Sequence, residues 1–66
     1  MIKNRLKEIR MKEYMLSQIE FCKILEIPNT TYSNWESGVS RPTLEQSFNI
    51  SDKLNKKLED IWYLAN

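Results

Sequence analysis

Apolar residues in this chain recur mostly at three- and four-residue steps, and no run alternates long enough to read as a strand. Five helices follow from that spacing. The first covers about residues 2–13, where Ile2, Leu6 and Ile9, continued by Met11 or Tyr14, share a side. The second opens at Ser17, with Glu20 three residues on. That spacing is a capping box, in which the hydroxyl takes an orphan amide and the carboxylate reaches back. Ile19, Phe21, Cys22 and Leu25 supply its buried side, and it ends near Glu26. Pro28 lacks an amide and biases Ile27 to extended backbone, so Glu26-Ile27-Pro28 is a tight turn. Asn29 or Thr30 caps a third helix that runs to about Ser37, with Tyr32 and Trp35 inside. Gly38 takes the left-handed position that stops it. Thr43 and Gln46 form a second capping box. They open a fourth helix through about Leu54, with Leu44, Phe48, Ile50 and Leu54 facing inward and Asn55 as its stop. Leu58, Ile61, Trp62 and Leu64 define a last short helix.

Length narrows what these helices can form. The 66 residues suit one all-α domain spanning 1–66, and a chain this short buries only about 60% of its unfolded surface. Cys22 is the sole cysteine and there is no histidine, so neither a disulfide nor a structural zinc site is expected. No metal or cofactor is implied, and the setting expected is reducing and cytoplasmic. Oligomerisation is the remaining support. The apolar end at Ile61, Trp62 and Leu64 exceeds what closing a core needs and reads as a dimer seam. No apolar run approaches the roughly 20 residues of a membrane span. Without a histidine or a second nucleophile, Glu26 and Glu36 make no catalytic pair, so an enzyme is not expected.

The net charge of +1 conceals an uneven distribution. Residues 1–12 hold Lys3, Arg5, Lys7, Arg10 and Lys12 against Glu8, whereas residues 13–36 hold Glu13, Glu20, Glu26 and Glu36 against Lys23. The first cluster suits either a solvated helix face or a phosphate-binding surface.

The most informative stretch is Gln18 to Ser37, helix, short turn, helix. Tyr32 and Trp35 are better placed to fill the wedge between the helices than to stack on bases. The outer side of the later helix is then Asn29, Thr30, Thr31, Ser33 and Asn34, all short and uncharged. Surface helices normally carry Glu and Lys, which are better helix formers. An Asn amide matches adenine in the major groove, and Thr or Ser bonds base edges or touches a thymine methyl. Ser17 and Gln18, at a helix start, are placed to hold a phosphate.

At this point the chain resembles the lambda-repressor/Cro-like helix-turn-helix family, often called the XRE family. The resemblance covers nearly the whole chain and rests on LKEIR in the first helix, SQ opening the second, WESG ending the third, then RPTLE and LEDIW. It implies a compact five-helix domain that binds double-stranded DNA as a two-fold dimer on an operator with two half-sites. Carried over, Asn29, Thr30 and Asn34, with Ser33 beside them, are base-reading positions. Gln18 meets phosphate or the outermost base, as Ser17 and Thr31 are also expected to do, and Ser37 and Arg41 contact backbone. Glu36 corresponds to a glutamate that pairs with a first-helix arginine, here Arg10. Three departures stand out. Glu26 replaces the usual turn glycine. The segment from Arg10 to Gln18 is one residue longer than the commonest spacing, which works against the Arg10–Glu36 pair. Pro28 fills the capping position, so Asn29 is expected to cap instead of reading a base. A minimal transcriptional repressor or phage-type regulator, with no small-molecule ligand, is the leading expectation. A protein-interaction module on the same fold, antitoxin-like or antirepressor-like, is the alternative, kept open by the modest net charge.

Overall fold

Signals within a few residues set both ends of the middle helices. In the computed structural model, which describes residues 1–65, the second helix (α2) is Gln18–Leu25, the third (α3) Asn29–Ser37 and the fourth (α4) Leu44–Leu54. Ser17 Oγ accepts from the Glu20 amide at 3.2 Å, and Glu20 Oε1 accepts from the Ser17 amide at 3.1 Å. Thr43 and Gln46 repeat this reciprocal pair at 3.1 and 2.8 Å. Each helix then stops on a left-handed residue: Glu26 at φ 59°, Gly38 at φ 85° and Asn55 at φ 54°. The amides that follow turn back to satisfy late carbonyls, Ile27 to Cys22 at 3.0 Å, Val39 to Asn34 at 2.9 Å and Lys56 to Ser51 at 2.9 Å.

The first helix (α1, residues 6–14) is built differently. It is α-helical over Leu6–Glu8 and continues as a π-helix over Ile9–Tyr14, stopping at left-handed Met15 with φ 53°. A π turn closes hydrogen bonds one residue further along than an α turn. It therefore takes up the extra residue between Arg10 and Gln18 while keeping these two side chains on the same target.

The two ends of the chain form a sheet where only helix was expected. Strand β1, Ile2–Asn4, pairs antiparallel with β2, Trp62–Leu64, in the register Ile2↔Leu64, Lys3↔Tyr63 and Asn4↔Trp62. The first helix thus begins at Leu6, and the last (α5, Leu58–Ile61) ends before Trp62. Three-residue strands carry too little alternation to be read from sequence, and their pairing partner lies at the opposite end of the chain.

The core gathers Leu6, Ile9, Phe21, Cys22, Leu25, Tyr32, Trp35, Ile50, Leu54 and Ile61, with Tyr14, Leu16, Ile27 and Trp62 packed against it. Phe21 sits between Tyr14 and Tyr32 in edge-to-face contacts with centroids 5.0 and 5.6 Å apart. Three residues expected inside are outside: Ile19, Leu44 and Phe48 are 56%, 68% and 52% exposed. On α4 two stripes competed, and the buried one is Ser47, Ile50, Ser51 and Leu54. The serines allow close approach, and their hydroxyls donate to the Thr43 and Phe48 carbonyls at 3.0 and 2.8 Å, so burying them leaves no unpaired group. No described helix is long and apolar enough to cross a membrane.

Candidate nucleic-acid interface

The site is built on α2, the turn Glu26-Ile27-Pro28 and α3. Tyr32 and Trp35 are buried at 0% and 3% exposure, so the opposite side of α3 faces out. Asn29, Thr30 and Ser37 are exposed there, with Thr31, Ser33 and Asn34 half-buried along the same helix. Among the described residues, the side chains of Thr30, Ser33 and Asn34 have no hydrogen-bond partner within the chain. Asn29 does not cap the helix. Pro28 takes the cap position with no side-chain bond, Asn29 is the first helical residue, and its Oδ1 lies 3.9 Å from Cys22 Sγ. The expectation that capping removes Asn29 from the outer face is thereby corrected.

Behind this face lies a buried polar cluster. Arg10 Nε and Nη2 donate to Glu36 Oε2 and Oε1, both at 3.1 Å, so the pair that the longer segment argued against does form, and bidentately. Tyr32 Oη donates to Glu36 Oε2 at 2.6 Å, and Gln18 Nε2 donates to Oε1 at 3.1 Å. Arg10 Nη1 closes the cluster on the Leu16 carbonyl at 2.9 Å. Burial pushes the Glu36 carboxyl up, but donors from Arg10, Tyr32 and Gln18 outweigh it and hold it below the usual carboxylate range. Burial, with the bond to Glu36, drives the Tyr32 phenol well above the tyrosine range. The cluster thus joins α1, the start of α2 and α3 through one ionised group, and it anchors Gln18 at the edge of the outer face.

Ser17 is exposed, with its hydroxyl already accepting the α2 cap bond. Beyond α3, Ser37 and Arg41 are exposed and line a cavity of about 330 Å³ together with Lys3 and Ser40. Among the described residues, neither Lys3 nor Arg41 has an acidic partner within ion-pair distance. Sequence spacing left open which side of the N-terminal basic cluster matters, and β1 places Lys3 beside the loop after α3. Asn4 is a second residue the pattern did not reveal. Its Nδ2 donates to the Trp35 carbonyl at 2.9 Å and its Oδ1 accepts from the Leu6 amide at 3.1 Å, tying β1 and α1 to the end of α3. Only the Asn-x-Leu start of a helix hinted at it.

The expected dimer residues separate. Ile61 is fully buried in the core, since α5 turns it inward before the strand begins, so it offers no surface to a partner. Trp62 is half-buried and Leu64 is 79% exposed.

Two helices joined by a three-residue turn, the second with a buried aromatic side and a short polar outer side, define a helix-turn-helix domain. Residues 6–61 match the helix-turn-helix family of lambda-repressor/Cro-like type, and the chain belongs to that DNA-binding regulator family. No curated protein matches the chain in sequence.

Proposed function

We propose that the chain is a sequence-specific double-stranded DNA-binding repressor that works in the cytoplasm as a homodimer. In this reading α3 enters the major groove. Asn34, Thr30, Ser33 and Asn29 read base edges. Gln18, Ser17, Thr31, Ser37 and Arg41 meet the backbone or an outer base, and Lys3 joins them from β1. The observation that carries it is the outer face of α3, whose Thr30, Ser33 and Asn34 side chains have no partner among the described residues. Repression needs only occupancy of the operator, which this face would supply once two copies are joined.

The test begins by selecting bound duplexes from random DNA and titrating the winner. Asn34→Ala should lose about tenfold or more in specific affinity, because a bidentate Asn–adenine pair is worth about 1–3 kcal/mol against the wrong base. Random-DNA affinity and thermal midpoint should hold. Arg41→Ala should weaken all sequences alike and lower the log–log salt slope by about one unit. A chain from which no sequence can be selected favours the protein-interaction module instead. The exposed Leu44 and Phe48 on α4 are the feature that reading would use.

A further inference from the structure

We infer that Lys53 of α4 is a positioning residue for α3, holding the left-handed turn at Glu26; the consequence for DNA rests on the reading above. Lys53 Nζ donates to the Leu25 carbonyl at 2.9 Å and lies 3.2 Å from Glu26 Oε2. Leu25 is the last residue of α2, where carbonyls have no partner within the helix. Glu26 follows with a side chain in a backbone region that L-residues avoid, at φ 59°. The turn does not rest flush on α4. A cleft of about 190 Å³ lies there, lined by Leu25, Glu26, Ile27, Trp35, Ile50 and Lys53. The lysine is therefore the polar tie from α4 to the turn across that cleft. The Glu26 side chain is 80% exposed, so the ion pair contributes little, and the charge-assisted bond to the Leu25 carbonyl carries the tie. Because α3 begins three residues after Glu26 while Glu36 near its far end is bonded to Gln18, a small change at the turn pivots the helix about that end and displaces Asn29 and Thr30 at its start.

The experiment uses the full chain with Lys53→Met, which keeps the stem and removes the ammonium, and with Lys53→Arg. In Lys53→Met the Ile27 amide, bonded to Cys22, should exchange about tenfold faster, as expected when a local opening is eased. The affinity ratio of the selected duplex to a random duplex of equal length should fall about fivefold. The salt slope should stay unchanged, and Lys53→Arg should restore both readouts. In a Glu26→Gly background the lysine should matter less, because glycine takes positive φ without strain. The Lys53→Met/Glu26→Gly pair is also the fallback if Lys53→Met alone unfolds, and it should match Glu26→Gly in ratio. A salt slope lowered by about one unit makes Lys53 a direct phosphate contact and overturns the inference. So does an unchanged ratio with a lowered thermal midpoint, or a fivefold loss on Lys53→Met that persists undiminished in the Glu26→Gly background. A parent chain with no sequence preference removes the DNA reading instead. The Ile27 exchange then decides alone, and an unchanged rate in Lys53→Met overturns the inference.

Discussion

Glu36 accepts four hydrogen bonds, from Arg10 Nε and Nη2, Gln18 Nε2 and Tyr32 Oη, in a side chain only 6% exposed. A buried carboxylate so bonded favours folding in its ionised form. Its folded pKa lies below the usual value of 4.5, so the stability it contributes is present above that pH and is lost as pH falls through the depressed value. Glu36→Gln should therefore flatten the acid side of a plot of thermal midpoint against pH, below about 4.5. A variant curve parallel to the parent's would assign the acid sensitivity to another group. Glu36→Ala should be more severe, destabilising by about 3 kcal/mol at neutral pH, because it leaves the Arg10 guanidinium buried without its partner.

At the scale of elements, helix ends and the π turn lend themselves to separate tests. A Cβ at Gly38 would meet nothing within 4 Å, so the whole penalty of Gly38→Ala comes from backbone at φ 85°. It should lower stability by about 1 kcal/mol, a fall of about 4–8 °C in thermal midpoint for a domain of this size. An unchanged midpoint would show that α3 does not end in a left-handed residue. The π-helix makes a bolder expectation. Met11 is 53% exposed and lies within the π segment, so deleting it should leave an ordinary α turn and keep Arg10, Tyr14 and Gln18 on their partners. The deletion variant should melt cooperatively within a few degrees of the parent, whereas helices with their phase shifted by one residue would lose the core. Loss of the cooperative transition counts against the absorbed-residue account.

For the whole molecule, size and surface bear on assembly. The extents are 30 × 23 × 22 Å, comparable with the roughly 34 Å of one DNA turn that would separate two half-sites. Ile2, Leu44, Leu58 and Trp62 line a shared cleft of about 200 Å³, and Leu64 is exposed at the end of the sheet, in register with Ile2. If this face is the seam of the proposed homodimer, Leu44→Asp with Leu64→Asp should give a monomer by light scattering. Operator affinity should fall sharply, and the thermal midpoint should drop and lose its dependence on protein concentration, since association stabilises the folded chain by mass action. A parent that is monomeric at high micromolar concentration yet binds its operator fully would sink the dimer.

Much of this molecule is decided by the sequence over short distances. The Ser17–Glu20 and Thr43–Gln46 boxes, the stop at Pro28 and the left-handed ends at Gly38 and Asn55 depend on groups a few residues apart, so each is legible without knowing what packs where. The polar outer side of α3 is equally readable, because Tyr32 and Trp35 leave it only one way to face. The tertiary structure decides what depends on distant partners. Ile2 leaves a helix for a strand because Leu64 comes to lie beside it. On α4, the stripe of Ser47, Ile50, Ser51 and Leu54 is buried in place of Leu44 and Phe48, because helix approach and hydrogen bonding, not side-chain hydropathy alone, select the inner face. Arg10 reaches Glu36 across an awkward spacing because a π turn absorbs one residue, a choice that local propensity does not dictate and that a bidentate bond, a phenol and an amide on one carboxylate together stabilise.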